Sequence, residues 1–345
     1  MKEIAERLVS EHRLNAEEFR ALIESCDDPT LDFLRNEAVR TAQKRFGRGI
    51  FVRGLIEISS YCRNNCLYCG LRRDNRNAER YRLTREQILE CCKQGYEAGL
   101  RTFVLQGGED AALTDEWLEA VISAIRERYP DAAITLSLGE RSEESYARMY
   151  KAGANRYLLR HEAADRELYR AIHPDKMSYD NRVACIKTLK NLGYQTGMGM
   201  MVGVAGQSVE ALVQDLFLME SIQPEMIGIG PFIPHHDTPF GNNAAGDMRQ
   251  TLLMLAIVRL MFPDALIPST TALASLSSDG RKQGILSGAN VVMPNISPLS
   301  LRRKYAIYDN KAISGSEAVE GLNLLERELN EIGYYIDFSR GDFQK

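Results

Sequence analysis

Apolar positions along the chain follow two spacings, and each spacing predicts a different secondary structure. Helices are predicted where apolar residues recur every three or four positions, as in the segment after a capping box of Thr84 and Gln87. Strands are predicted where short runs rich in β-branched and apolar residues end at polar or glycine-rich turns. Eight such runs occur, at 50–59, 101–105, 132–138, 155–159, 195–201, 226–229, 265–268 and 289–293.

This alternation of strands and helices predicts an α/β protein with a parallel sheet. Eight strands closed into a ring form a (β/α)8 TIM-type barrel, and residues 49–300 have about the usual length of 250 residues for that fold. Residues 1–48 predict an N-terminal helical extension. Residues 301–345 predict a C-terminal tail that packs on the barrel, with a helix over 316–332. An open six-stranded partial barrel is the alternative, because the last two units are short and weakly patterned.

Composition narrows the class of protein without indicating a function. The 345 residues are 44% hydrophobic and 26% charged, as in an ordinary globular protein with a full core. A net charge of −4 gives no electrostatic case for binding nucleic acid or an anionic membrane. The chain has no apolar run of about 20 residues and no apolar signal core, so we expect a cytoplasmic protein. Seven cysteines, an odd number, agree with a reducing compartment.

Three of the seven cysteines lie in one short stretch directly after the first predicted strand. Cys62, Cys66 and Cys69 have the spacing C-x3-C-x2-C. They therefore occupy the C-terminal end of a strand, where α/β barrels carry their active sites. Three neighbouring thiolates can hold an iron–sulfur cluster or a zinc ion, for which four cysteine ligands are usual. With three cysteines, one coordination position of the metal stays open. Zinc is less favoured, because no histidine lies within about twenty residues to complete a tetrahedral site.

With Tyr68 directly before the last cysteine, the pattern resembles the signature of the radical S-adenosylmethionine (SAM) superfamily. The resemblance implies one [4Fe–4S] cluster on the three cysteines and SAM at the fourth iron. It also implies reductive cleavage of SAM to methionine and a 5′-deoxyadenosyl radical. Gly107-Gly108-Glu109 resembles the superfamily's glycine–glycine–glutamate motif, which contacts the amino group of SAM. Alone that motif is weak, because the same residues also form ordinary turns.

Other predicted strand exits carry polar residues that suit the remaining groups of SAM. A carboxylate seeks an arginine fork, and ribose hydroxyls suit serine or glutamate. The alternative for Arg182 is an ion pair with a nearby aspartate on a helix surface. The predicted cofactor site comprises Tyr68, Gln106, Gly108, Glu109, Ser137, Glu162 and Arg182.

Longer blocks resemble the HydE family of [FeFe]-hydrogenase maturases, in the biotin synthase-like group of radical SAM proteins. The blocks are 57–75, 104–110, 136–140, 157–162, 228–235 and 267–272. Biotin synthases and methylornithine synthases share the cluster loop and match the later blocks less well. The resemblance implies assembly of the hydrogenase H-cluster from a small cysteine-derived iron species that carries carbonyl and cyanide, whose sulfur the radical attacks.

Carried onto this chain, the resemblance implies that Arg160, Thr270 and Thr271 hold the substrate carboxylate and that Tyr305 or Tyr308 lines the cavity. Without it, the two threonines equally suit packing at a strand end. The expected partners are an electron donor such as ferredoxin or flavodoxin, and the other hydrogenase maturases HydF and HydG.

Two features of the sequence limit this expectation. Some family members carry three further cysteines near the C-terminus for an accessory cluster, but no cysteine follows Cys185 here, so we predict a single cluster. His235 and His236 are interpreted as loop residues, because no third metal ligand is evident. Two alternative functions stay open: a radical SAM mutase or lyase on a free amino acid, similar to methylornithine synthase, and a non-enzymatic iron–sulfur carrier.

Overall fold

Three helices precede the barrel in the computed structural model, which describes residues 1–312 and 318–344. They are α1 (Lys2–Glu11), α2 (Ala16–Ser25) and α3 (Asp28–Phe46). Asn15 forms a capping box with Glu18 at the start of α2, and the Asp27 side chain accepts a hydrogen bond from the Thr30 amide at the start of α3. These caps explain why the helices begin where they do.

Strands and helices then alternate through the barrel, as predicted. The strands are β1 (Gly49–Val52), β2 (Gly54–Ser59), β3 (Thr102–Gly107), β4 (Ala133–Ser137), β5 (Arg156–Leu158), β6 (Gln195–Met198), β7 (Met201–Val202), β8 (Met226–Ile227), β9 (Gly230–Pro231) and β10 (Val291–Val292). The helices are α4 (Arg85–Glu97), α5 (Asp115–Arg128), α6 (Glu143–Ala152), α7 (Arg166–Ile172), α8 (Tyr179–Asn191), α9 (Val209–Ile222), α10 (Met248–Met261), α11 (Thr271–Leu276), α12 (Gly280–Ile285) and α13 (Leu299–Arg302).

Backbone hydrogen bonds close the strands into a ring. Parallel pairing runs in the order β2–β3–β4–β5–β6–β8. Leu266 continues the ring, since its carbonyl accepts from the Ile227 amide at 3.1 Å, and Ser269 then donates to the carbonyl of Val291 at 2.9 Å. β10 pairs with β1, which runs on into β2 after Arg53. The eight predicted strand positions therefore form a closed barrel, and the open partial barrel is wrong.

The barrel wall is buried on both faces, which explains why its strands read as apolar runs rather than as alternating patterns. All six residues of β2 are buried, as are the first four of β3 and of β4. Helices cover the outer face, and the capping box of Thr84 and Gln87 begins the first of them, α4, as predicted. The C-terminal strand ends consequently gather on one side, which is called the barrel mouth below.

The C-terminal tail closes the opposite end of the barrel. Positions 316 and 317 of its predicted helix lie outside the described residues, and α14 spans Ala318–Asn330. A strand not expected from the sequence, β11 (Tyr335–Asp337), then pairs in parallel with β1. Beyond it, the Arg340 and Gly341 carbonyls and the Asp342 carboxylate accept hydrogen bonds from Arg156, at 2.8, 3.1 and 2.7 Å.

Candidate active site

The three clustered cysteines lie on the loop that leaves β2 at the barrel mouth, and all three are half-buried free thiols. Burial raises the pKa of Cys62, raises that of Cys69 to about 12, and raises that of Cys66, where the two neighbouring thiols add to the effect. Each thiol is therefore protonated until a cation binds and displaces the proton. Three neighbouring sulfur donors at the exit of one strand are consistent with an iron–sulfur cluster.

The exit of β3 holds this cysteine loop in place. The Arg63 amide donates to the Glu109 carbonyl at 2.8 Å, and the Gly108 amide donates to the Ser59 carbonyl at 3.3 Å. The fit is so close that a Cβ atom on Gly108 would lie 2.3 Å from the Tyr61 carbonyl oxygen and 2.7 Å from Cys62 Cβ. Position 108 therefore requires glycine, because any side chain would clash with the cysteine loop. This close packing is the structural reason for the second glycine of the glycine–glycine–glutamate motif.

Glu109 begins a chain of charged groups that crosses the barrel mouth. Its carboxylate accepts hydrogen bonds from Arg63 Nε at 3.1 Å and from the Glu140 amide at 3.0 Å. Glu140 in turn accepts from Arg182 Nε at 2.6 Å, and Arg182 donates to the Arg160 carbonyl at 2.7 Å. Arg182 is only 7% exposed and pairs with a glutamate. The alternative interpretation, an ion pair between Arg182 and an aspartate on a helix surface, is therefore wrong.

The sequence reasoning did not assign Glu140 to the site, although Gly139 beside it is an available signal. Gly139 has a φ of +75°, and a Cβ atom there would lie 2.0 Å from Glu109 Cγ. A left-handed glycine directly against a carboxylate marks a strand exit that is shaped around that carboxylate.

An open cleft of about 610 Å³ borders this chain of charges. Glu109, Glu140, Arg141 and Asn181 are among its lining residues. A cleft of this size accommodates a small molecule, and its polar lining suits a charged ligand better than an apolar one.

Tyr68 and Glu162, two further residues of the predicted cofactor site, both lie near the cysteines. The Tyr68 hydroxyl is 3.1 Å from His173 Nε2. Burial and the charge of Arg182 lower the pKa of His173 to about 3, so the imidazole is neutral and accepts from Tyr68. Glu162 adopts a φ of +66°, rare for a residue with a side chain, and its carboxylate lies 3.0 Å from Arg160.

Gln106 and Ser137, the remaining predicted cofactor residues, are adjacent in the barrel wall. They are paired in register on β3 and β4, and both are half-buried. Gln106 Nε2 lies 3.5 Å from the Tyr305 hydroxyl, so the predicted cofactor residues and one predicted substrate residue meet at the mouth.

The other predicted substrate residues lie across the mouth, around the exit of β8. Arg160 Cδ would be 3.9 Å from a Cβ atom on Gly228, and Thr270 Oγ1 would be 2.9 Å from one on Gly230. Arg160 Nε and Thr270 Oγ1 are both buried without a hydrogen-bond partner among residues 1–312 and 318–344. Thr271 begins α11. Tyr308 and Thr271 are half-buried, whereas Tyr305 is buried.

A buried ion pair that was not predicted lies beneath Tyr305. Glu57 on β2 is fully buried, forms an ion pair with Lys311 and accepts a hydrogen bond from Asn295 Nδ2 at 2.9 Å. Lys311 Nζ also donates to the Tyr305 carbonyl at 3.0 Å and lies 4.8 Å from the centre of its ring. A glutamate within an apolar strand is the one signal of this pair in the sequence.

His235 and His236 have a carboxylate neighbour after all. His236 Nδ1 lies 2.7 Å from Asp309, and His235 Nδ1 lies 4.0 Å from it. However, His235 Nδ1 already accepts a hydrogen bond from the Asp237 amide at 3.1 Å. One ligand atom from each of His235, His236 and Asp309 lies within 4.8 Å of the others, an arrangement that could hold a metal ion. The expectation that no third ligand is near is therefore wrong, and the interpretation of the two histidines as loop residues stays a prediction.

A closed α/β barrel with three neighbouring cysteines at its mouth is the arrangement expected of a radical SAM enzyme. In agreement, residues 56–219 match the family model of the Radical SAM superfamily. The crystal structure of methylornithine synthase has a TM-score of 0.85 with 26% identity, over 97% of each chain. A structure of the [FeFe]-hydrogenase maturase HydG has a TM-score of 0.82 over 97% of this chain and 75% of that one, but at 20% identity it shows the fold alone.

Sequence relatives narrow this class to one family. The [FeFe] hydrogenase maturase subunit HydE of Thermotoga maritima is 46% identical over 269 residues, which are 78% of this chain and 76% of the relative. The chain belongs to the HydE family of radical SAM enzymes, whose cofactors are a [4Fe–4S] cluster and SAM. The 3-methylornithine synthase of Methanosarcina acetivorans is 30% identical over 88% of this chain and 86% of its own length. No helix in the described part of the chain is long and apolar enough to cross a membrane.

Proposed function

We propose that this enzyme takes part in [FeFe]-hydrogenase maturation by acting on a small cysteine-derived iron carbonyl and cyanide species during assembly of the H-cluster. The observation that carries the proposal is a pair of buried polar atoms, Arg160 Nε and Thr270 Oγ1, at the same barrel mouth as the three cysteines; neither atom has a hydrogen-bond partner in the described part of the chain. The similarity to HydE of Thermotoga maritima supports the assignment to maturation.

The cysteine loop is proposed to hold the cluster through Cys62, Cys66 and Cys69, which are free thiols on one loop. Together with SAM, the bound cluster supplies a 5′-deoxyadenosyl radical and methionine. Glu109 is proposed to bind the ammonium of SAM, and Arg182 its carboxylate. Glu109 now pairs with Arg63 and Arg182 with Glu140, so each can replace part of that ion pair by a SAM group of the same charge as the present partner. Gln106, Ser137 and Glu162 are proposed to bind the remaining polar groups of SAM, and Tyr68 to line the site.

The substrate is proposed to bind through its carboxylate at Arg160, Thr270 and Thr271. A buried donor without a partner costs about 1–3 kcal/mol, and a carboxylate ligand removes that cost. Tyr305 and Tyr308 are proposed to form the opposite wall, since Lys311 fixes the backbone and ring of Tyr305. This arrangement orients the cysteine-derived part of the substrate and leaves its sulfur free to face the cysteine loop.

Two anaerobic measurements test the proposal. Reconstituted protein is expected to carry one [4Fe–4S] cluster and to convert SAM to 5′-deoxyadenosine, whereas a Cys66→Ala chain loses both. Added to a maturation mixture with HydF and HydG, the wild-type chain is expected to activate apo-hydrogenase. SAM cleavage without hydrogenase activation would refute the role in maturation and leave the enzyme class intact.

Methylornithine synthase is the second candidate, favoured by a TM-score of 0.85 over nearly the whole chain. Formation of 3-methylornithine by the reconstituted chain would establish it. A non-enzymatic cluster carrier is the third reading. It predicts that SAM leaves the electron paramagnetic resonance spectrum of the reduced cluster unchanged, whereas binding at the open iron position alters it.

A further inference from the structure

Tyr169 is a buried side chain that the site described above does not use. It lies on α7 and is fully buried. Its hydroxyl group has no hydrogen-bond partner within residues 1–312 and 318–344. A buried hydroxyl without a partner lowers the stability of a fold, so its presence here requires an explanation.

Aromatic contacts fix the position of the Tyr169 ring. The ring stacks on the imidazole of His173, with ring centres 4.1 Å apart and an angle of 30° between the planes. His173 Nδ1 also donates to the Tyr169 carbonyl at 2.9 Å, so the imidazole is tied to the same helix. Tyr179, which begins α8, meets the Tyr169 ring edge to face at 5.7 Å. Packing on both sides leaves the phenol little freedom to turn.

These contacts place the Tyr169 ring between the cysteine loop and the helix that carries Arg182. On one side, His173 Nε2 lies 3.1 Å from the hydroxyl of Tyr68, which directly precedes the last cluster cysteine. On the other side, Tyr179 and Arg182 are three residues apart on α8 and therefore share one face of that helix. Tyr169 thus lies where the cysteine loop and the proposed SAM site adjoin.

The charged groups around the Tyr169 hydroxyl are those of the proposed SAM site. Burial raises the pKa of Tyr169, Arg182 opposes that rise, and Glu140, Cys66 and Glu162 add to it. Among these neighbours Arg182 has the largest effect. Because charges act on a pKa mainly over several ångströms, the hydroxyl lies close to the guanidinium that is proposed to bind the carboxylate of SAM.

We propose that Tyr169 is a further SAM-binding residue, whose hydroxyl donates a hydrogen bond to the carboxylate of SAM beside Arg182. This inference rests on the proposed function. Arg182 already donates through Nε to Glu140 at 2.6 Å and through Nη1 to the Arg160 carbonyl at 2.7 Å. A SAM carboxylate has two acceptor oxygens, so it gains from a second donor, and a neutral phenol supplies one without adding charge to the site.

Tyr169→Phe removes a single oxygen atom and separates ligand binding from folding. Without SAM, the thermal unfolding midpoint is expected to stay the same or rise, because the lost hydroxyl has no partner in the described part of the chain. The Kd for SAM is expected to rise about tenfold, measured by anaerobic calorimetry on the oxidised holoenzyme, in which SAM is not cleaved. In dithionite-driven turnover the KM for SAM is expected to rise about tenfold and kcat to change little, because the hydroxyl contacts the carboxylate rather than the breaking bond.

Tyr194→Phe is the matched control for this substitution. Tyr194 is also buried, but its hydroxyl donates to the Tyr146 carbonyl at 2.8 Å. The control is therefore expected to lower the unfolding midpoint and to leave the Kd for SAM unchanged. Decarboxylated SAM provides a second control, because the wild type and Tyr169→Phe are expected to bind it equally.

The outcomes separate this inference from the proposed function. An unchanged Kd for SAM in Tyr169→Phe would overturn the role of Tyr169, and so would an equal weakening in Tyr194→Phe. A tenfold difference that persists with decarboxylated SAM would overturn the contact with the carboxylate. A wild-type holoenzyme that neither binds nor cleaves SAM would instead overturn the proposed function itself.

Discussion

Replacing Gly108 by alanine tests how the cluster loop is held. The added Cβ atom would lie 2.3 Å from the Tyr61 carbonyl oxygen, whereas ordinary contacts begin at about 3.4 Å. The loop that carries Cys62 must therefore move by about 1 Å. Overpacking of this kind costs about 1–3 kcal/mol, and a displacement of about 1 Å at reacting groups lowers rates by about 100-fold.

Gly107 provides the matched control for this substitution. Its added Cβ atom would meet Leu138 and Ile58 at 3.4 and 3.5 Å, which are ordinary contacts. Neither Gly107 nor Gly108 is among the glycines with positive φ, so alanine is compatible with the backbone at both positions. Gly107→Ala is therefore expected to be neutral or more stable by about 0.4–1 kcal/mol.

The assay compares the two variants in thermal unfolding midpoint, iron content after anaerobic reconstitution and rate of SAM cleavage. Gly108→Ala is expected to fall in all three measurements, and Gly107→Ala in none. A Gly108→Ala protein that takes up iron and cleaves SAM as the wild type does would refute the close-packing argument.

Three further predictions concern charged side chains. Asp342→Asn is expected to lose about 1–2 kcal/mol of stability, less than the loss of a fully buried ion pair, because Asp342 is partly exposed. Burial raises the pKa of Asp342, but the hydrogen bonds and charges of Arg156 and Arg340 outweigh burial, so the pKa is lowered. In unfolding of the wild type this contribution is therefore present at neutral pH and disappears as acid protonates the carboxylate. Lys311→Met is expected to cost about 3–5 kcal/mol of stability, because Glu57 is left buried without its ion-pair partner. Burial already raises the pKa of Glu57, so the folded variant retains a proton that the unfolded chain releases, and its stability falls as the pH rises. Adding Glu57→Gln to the same chain is expected to restore much of the loss in thermal unfolding. Arg160→Lys is expected to retain SAM cleavage and to lose hydrogenase activation, because lysine lacks the forked donor; equal loss of both would contradict a role for Arg160 in substrate binding.

Local patterns in the sequence predicted the barrel and the cluster loop because both depend on neighbouring residues. The spacing of Cys62, Cys66 and Cys69 is set within one loop, and Thr84 caps α4 through Gln87, three residues away. The last two strand positions were harder to predict, since their sequence runs are short and weakly patterned. In the structure the segment around Leu266 joins the ring through isolated bridges.

The unexpected features depend on residues that are far apart in the chain. Lys311 reaches Glu57 across 254 residues, and β11 pairs with β1, although each segment alone is compatible with several structures. Arg182 shows the same limit: its place in a helix was predicted, but its burial against Glu140 follows from how α8 packs on the barrel. Sequence spacing specifies which face of a helix a residue occupies, and tertiary packing decides what that face meets.

The barrel mouth is shaped as much by absent side chains as by present ones. Gly70 leaves no space for a Cβ atom beside the Ala306 carbonyl at 2.2 Å, Gly108 leaves none beside Tyr61, and Gly139 leaves none beside Glu109. Each contact ties a different segment to the cluster loop or to the carboxylate that braces it. A loop confined on three sides has few conformations to lose when a cofactor binds, so the thiols are pre-organised before iron arrives. Such confinement explains why the residues that define this site include glycines as well as cysteines.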